Sequence, residues 1–325
     1  MRKYWRITVL LLALSTVCVG VASADHSATQ GSARVAERFL PRASALSVLR
    51  APTRKRPCVG KRSKGRYQHV VWIVFENKGF SEVIGSSNAP YINKVAHACG
   101  LAANFYAEAH PSLPNYIAMT SGSTQNITDD DGPDSHHLSV PSIFSQLGTH
   151  WKSLAEDMPA GCHRGDSGDY AVRHNPAVYY TNIQRFCSRQ DRPLGLHQKL
   201  RASFTFVTPN LCHDMHSCPS QGDTSSETRA GDRWLSNFFP RLLSTPQYRA
   251  GKTVIFITWD EDDFHGTQHI PTLVIAPSVR RGTRVRTRLD HYSMLRTTEQ
   301  LLGLHRFLGH AASAKSMARA FHLGR

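Results

Sequence analysis

The sequence predicts an α/β fold, and three observations carry that prediction. Two are apolar runs, V-V-W-I-V-F ending at Phe75 and V-I-F-I-T-W ending at Trp259, rich in β-branched and aromatic residues and as long as a buried strand. The third is the helical patterning that separates the strand candidates along one continuous stretch from Gln68 to about Leu304. Each apolar run passes straight into oxygen-bearing side chains, Glu76-Asn77 after the first and Asp260-Glu261-Asp262 after the second. In an open parallel sheet the carboxyl ends of the strands form the ligand crevice, so these oxygens are expected to meet at one site. Glu, Asn and Asp oxygens together suit a hard or borderline divalent cation.

At the N-terminus, residues 1–24 read as a secretory signal peptide. Basic Met1-Arg2-Lys3-Tyr4-Trp5-Arg6 precedes an apolar run from Ile7 to about Val21, and Ala22-Ser23-Ala24 forms an A-x-A cleavage site. That run is shorter than the ~20 residues that span a bilayer, so the expected localisation is secreted, extracellular or wall-associated. Past Cys18, six cysteines remain, an even number that in an exported chain favours disulfides. Spacing suggests Cys162 with Cys187 and Cys212 with Cys218, leaving Cys58 for Cys99, one of many connectivities open to six thiols.

The formal charge is +15, and removal of Arg2, Lys3 and Arg6 with the signal leaves the mature chain near +12. Such a surplus attracts anions in general without selecting one. Residues 25–66 read as a basic, flexible leader, with eight Lys and Arg side chains between Arg50 and Arg66 and no interleaved aromatic before Tyr67. No specific nucleic-acid partner is expected, and weak association with an anionic cell-wall polymer or membrane surface is the partner class left open. The single folded domain is taken as residues 67–325, and the protein as a monomer.

Within that domain the strand candidates are His69 to Phe75, Phe204 to Thr208, Thr253 to Thr258 and Thr272 to Ile275. Helical patterns cover Ala89 to Ala98, Pro114 to Thr120, Ser142 to Gly148, Asp232 to Leu243 and Tyr292 to Leu302. The segment His110-Pro111-Ser112-Leu113-Pro114-Asn115 puts a serine at a helix start, where proline is tolerated in the first turn. Backbone N–H groups and the positive end of the helix dipole would make that a phosphate-binding position; the plainer reading makes Ser112 an N-cap.

These segments resemble those of the bacterial phosphoesterase family of secreted acid phosphatases and phosphatidylcholine-hydrolysing phospholipases C, within the alkaline-phosphatase-like superfamily. The matching pieces are F-Glu76-Asn77-K-G-F, H-P-Ser112-L-P-Asn115-Y-I-A-M-T-S-G, V-R-His174-N-P-A-V-Y-Y, F-V-T-P-Asn210-L-C-H-Asp214-M-His216, W-Asp260-Glu261-D-D and His291-Y-S-M-L-R-T-T-E. The resemblance implies an alkaline-phosphatase-like fold, with a mostly parallel central sheet and helices on both faces. It also implies a secreted, metal-dependent hydrolysis of phosphomonoesters through a phosphoserine intermediate.

Residue by residue, it implies that Glu76, Asn77, Asp260 and Glu261 hold the metal and that Ser112 is the nucleophile. His174 and His291 would donate to phosphoryl oxygens or protonate the leaving group, and Asn77, Asn115, His110 and His216 would bind substrate. Alkaline phosphatases hold two zinc ions, but the corresponding stretch here reads Asn210-x-x-x-Asp214 without a histidine-rich partner set. One divalent ion is therefore expected, with Ca, Mg, Mn and Zn all open. The alternatives are a phospholipase C acting on phosphodiester headgroups and a catalytically silent protein that binds wall polymer or another polyanion.

Overall fold

A computed structural model describes residues 51–63, 65–195, 201–218 and 224–324; the signal peptide and most of the proposed leader lie outside the described residues. The strands are β1 (His69–Phe75), β2 (Gly100–Tyr106), β3 (Trp151–Ala155), β4 (Asp191–Pro193), β5 (Phe204–Thr208), β6 (Thr253–Trp259), β7 (His269–Ile275), β8 (Thr283–Val285) and β9 (Leu289–Asp290). The α-helices are α1 (Phe80–Val83), α2 (Pro90–Ala98), α3 (Ser112–Ser121), α4 (Ile143–Gln146), α5 (Gln184–Gln190), α6 (Thr224–Leu243), α7 (Pro246–Arg249) and α8 (His291–Leu302).

The strands form one sheet in the order β4-β3-β5-β1-β6-β7-β2-β8, with β9 also paired to β2. β1 lies at its centre, parallel to β5 and β6, so its side chains are covered on both faces; this is why the run from Val70 to Phe75 is uniformly apolar rather than alternating. Trp72 donates its indole N–H to Thr298 Oγ1 on α8 at 3.0 Å, whereas Phe75 packs edge-on against Trp234 of α6 at 5.9 Å. Residues three apart on a strand point to opposite faces, so α6 and α8 cover the two sides of the sheet.

β7 is the exception to the parallel arrangement, running antiparallel to β6 and to β2. Residues 260–268 between β6 and β7 are too few for a parallel crossover, which takes a dozen or more residues, roughly. Two internal strands had no clear apolar run in the sequence. β2 reads GLAANFY and β3 reads WKSLA, so their neighbours rather than their own hydrophobicity define them. Gly100 at the start of β2 is required by packing, because a Cβ there would lie 2.7 Å from the Phe321 ring.

The folded unit starts earlier than residue 67, which corrects the flexible reading for the last part of the leader. Val59 and Lys61 donate backbone N–H groups to Pro277 O, Gly60 donates to Val279 O, and Tyr248 donates its hydroxyl to Pro57 O. Cys58 is buried in a disulfide with Cys99, immediately before β2. Cys162–Cys187 and Cys212–Cys218 form the other two bridges. Among the described residues no helix is long and apolar enough to cross a membrane.

Candidate active site

The carboxyl ends of β1, β5 and β6 deliver the acidic side chains to one buried cluster. Glu76 follows β1 and Asp260 follows β6; the Asp260 N–H donates to Phe75 O at 2.9 Å, continuing the β1–β6 ladder into the site. The loop after β5 returns Asp214 to the same place, where its carbonyl accepts the Glu76 N–H at 2.7 Å. Glu76, Asp214, Asp260 and Glu261 are all fully buried.

Ser112 is the first residue of α3, with Pro111 before it, so the side chain is not spent as a cap. Its Oγ donates to Glu76 Oε2 at 2.8 Å and lies 3.2 Å from Glu261 Oε1. One helical turn on, the Tyr116 hydroxyl donates to Glu76 Oε1. Residues i and i+4 share a helix face, so one face of α3 grips both oxygens of one carboxylate. The Leu113 N–H at this helix start is taken by Asp130 Oδ1 at 2.9 Å, so the expected cradle of open N–H groups is partly filled by the protein itself. Asn77, in the left-handed region at φ 40°, donates its N–H to Asp260 Oδ1 at 3.1 Å and its amide to Glu261 Oε1 at 3.0 Å.

Four buried carboxylates in one cluster repel one another and lose their hydration. Burial, then Asp260 and Asp214, push Glu76 well above the usual carboxylate range, and burial pushes Asp214 well above it too. Burial raises Asp260 to about 6, and burial and the neighbouring Asp260 raise Glu261 to about 9. Among the described residues no Lys or Arg forms an ion pair with any of the four. Asn77 Oδ1, Asp214 Oδ2 and Asp260 Oδ2 are buried without a hydrogen-bond partner. Orphaned oxygens and uncompensated negative charge are what a divalent cation satisfies, so this donor set fits one.

The histidines divide by exposure. His174 is buried, its Nε2 3.3 Å from Glu76 Oε2 and its Nδ1 3.3 Å from Asp214 Oδ2, with the ring stacked on Tyr116. His291 is fully buried, with Nε2 3.0 Å from Trp259 O and Nδ1 unpartnered. Burial lowers its pKa to about 4, so near neutrality the geometry assigns a neutral ring that donates to the carbonyl and keeps a bare lone pair on Nδ1. The ring's one proton is thus committed to a backbone carbonyl, leaving Nδ1 as its unpartnered nitrogen.

His110 is the partly exposed histidine of the cluster, with Nδ1 2.6 Å from Glu261 Oε2 and Nε2 3.2 Å from Asp262 Oδ1. Phe264 stacks on it at 4.0 Å. His216 lies 6.1 Å from His174, ring to ring, and bonds Ser217 Oγ.

Asn115 is occupied by backbone groups. Its Oδ1 accepts the N–H groups of Glu108 and Ala109, and its Nδ2 donates to Ala109 O and Pro111 O. The side chain is fully buried and all its polar capacity holds the turn that presents Ser112. Asn115→Ala leaves the half-buried N–H groups of Glu108 and Ala109 unpaired, so a stability loss of about 1–3 kcal/mol is expected with a fall in kcat, read by urea unfolding and steady-state kinetics. Unchanged stability would contradict this clamping role.

Asp214 and Tyr116 belong to the cluster but were not singled out from the sequence. Tyr116 had a usable signal in its i+4 spacing from Ser112, and Asp214 lay inside one of the matching motifs.

The phosphoesterase family profile matches residues 86–305. A phosphatidylinositol-3-phosphatase of Mycobacterium tuberculosis is 32% identical over 254 residues, which cover 76% of this chain and 81% of that protein. An acid phosphatase of Aspergillus fumigatus is 27% identical over 259 residues, covering 72% of this chain and 54% of that one. In fold, a protein of the alkaline phosphatase superfamily from Vibrio parahaemolyticus superposes with a TM-score of 0.55 at 13% identity, covering 86% of this chain and 78% of that one.

Proposed function

The chain belongs to the phosphoesterase family, a hydrolase acting on phosphoric esters with an alkaline-phosphatase-like fold, and from that premise we propose a secreted, metal-dependent phosphomonoesterase that works through Ser112. The observation that carries the reading is the contact of Ser112 Oγ with Glu76 and Glu261 inside a buried carboxylate cluster. Glu76, Asn77, Asp260 and Glu261 would hold one divalent cation, with Asp214 beside them. When bound, the cation supplies positive charge that favours ionised serine and neutralises phosphoryl oxygens.

Ser112 Oγ attacks phosphorus in line with the ester oxygen while its proton passes to the Glu76 carboxylate, 2.8 Å away. The P–O bond to the leaving group breaks, and solvent water gives that oxygen a proton. Water then hydrolyses the phosphoserine and returns Ser112. Buried His174 lies between Glu76 and Asp214, 3.3 Å from one oxygen of each. The acid-phosphatase names of several relatives support a monoester substrate, and the three disulfides support an oxidising compartment outside the cell.

The test is hydrolysis of p-nitrophenyl phosphate and p-nitrophenyl phosphorylcholine by purified mature protein, with and without chelator. We expect monoester hydrolysis that chelator abolishes and one added divalent metal restores. Hydrolysis of the choline ester alone would move the enzyme to the phospholipase C class. Full activity in excess chelator would overturn the metal dependence.

A further inference from the structure

Two basic segments more than 200 residues apart in sequence form one face of the fold, and we infer that this face binds a linear polyol-phosphate polymer. The backbone bonds from Val59 and Lys61 to Pro277, and from Gly60 to Val279, lay Lys61 and Arg62 beside Arg280 and Arg281. A Cβ added at Gly60 would lie 3.4 Å from Arg280 Cγ, so the Arg280 side chain runs beside this turn. From there the chain continues through β8 as T-R-V-R-T-R-L-D. Val285 and Leu289 are buried, while Arg284, Arg286 and Arg288 are exposed. Residues 51–67 and 277–289 contain no Asp or Glu, and none of these arginines belongs to an ion pair found among the described residues.

The row has a direction. β8 runs parallel to β2 from Gly100 to Ala102, and Leu289–Asp290 pairs with Phe105–Tyr106, so the arginines follow β2 toward the end that leads to Ser112. Arg288 covers the Tyr106 ring at 3.8 Å. Of these arginines Arg284 lies in β8, and Arg286 and Arg288 follow in the short connection to β9, so the basic side chains stay close together along the edge of the sheet. An edge strand is protected from mispairing by a charge or two, whereas a continuous row of one sign repels itself and calls for an external polyanion.

Two other occupants fit less well. A membrane surface favours apolar side chains that insert, yet the exposed large hydrophobic residue among the described residues is Phe264, which is stacked on His110. Single-stranded nucleic acid is held by aromatic stacking platforms, and neither basic segment offers an exposed aromatic ring.

Fluorescence anisotropy of labelled poly(glycerol phosphate) with the mature protein, over a salt series, tests the inference. Changing Arg280, Arg281, Arg284 and Arg286 together to Ala should weaken low-salt binding ~10-fold or more, and should flatten the log–log salt dependence by roughly 3, as expected for four lost phosphate contacts on a single strand. A set with the same charge removed elsewhere, at exposed Arg185, Arg189, Arg201 and Arg249, should bind within about twofold of wild type. The corresponding Arg→Lys set should retain binding, which separates charge from any damage to the fold. Equal losses in both Ala sets, absence of saturable polymer binding, or tighter binding of oligothymidylate or phosphatidylglycerol vesicles would each overturn the proposal. The readout needs no turnover, so its failure is distinct from failure of the hydrolase reading.

Discussion

Ser112→Ala is expected to lower kcat/KM for p-nitrophenyl phosphate by ~10⁴-fold while leaving the fold intact. Ser112 is buried, its hydroxyl is held between Glu76 and Glu261, and no other hydroxyl sits between these two carboxylates among the described hydrogen bonds. The substitution removes a hydrogen-bond donor but leaves α3, the Asn115 clamp and the carboxylates in place. Rapid acid quench of the wild type during turnover should trap a phosphoryl group on Ser112, detected by peptide mass spectrometry. A Ser112→Ala enzyme that retains more than about a tenth of wild-type activity would exclude Ser112 as the nucleophile. Tyr116→Phe should have a smaller effect, since it removes one donor to Glu76 and leaves the nucleophile.

The second large effect is on stability. Chelated protein must keep Glu76, Asp214, Asp260 and Glu261 together without a cation, so saturating divalent metal should raise Tm. At a hundredfold excess over Kd the gain is about 2.7 kcal/mol, which for a domain of this size corresponds to roughly 5–10 °C. Asp260→Asn should raise the Tm of the chelated protein and erase most of the gain on adding metal, because it removes both a repelling charge and a metal donor.

The pH dependence has a definite sign. Asp260 is raised to about 6 and Glu261 to about 9, chiefly by burial, both above their values in the unfolded chain. Between about pH 4 and 9 the native chelated state therefore holds more protons than the unfolded state, and its stability falls as pH rises through those folded-state values. Metal requires the deprotonated carboxylates, so the metal-dependent gain should grow over the same interval. Differential scanning calorimetry at pH 5, 7 and 9, with chelator and with metal, checks both trends. Coincident melting curves at all three pH values would mean that no cation engages these carboxylates.

Much of this architecture was legible in the chain because the central strands are buried on both faces. Val70 to Phe75 and Val254 to Trp259 have no solvent side, so their composition alone marks them as inner strands of a largely parallel sheet. The acidic residues directly after them inherit a position, since strands fixed side by side put Glu76 and Asp260 at one edge. The cysteine spacing likewise anticipated the three bridges.

What depended on three-dimensional packing was side-chain direction and the path of loops. Asp214 reaches the cluster because the loop after β5 doubles back to Glu76, and no local pattern encodes that return. Asn115 and His291 sit inside matching motifs, yet one is consumed by four backbone bonds and the other is sealed against the Trp259 carbonyl. The basic leader joins Arg280 and Arg281 through backbone hydrogen bonds to residues more than 200 positions away. Burial periodicity is a property of a short segment and can be read along the chain, whereas a polar atom's partner depends on which distant backbone folding brings to it.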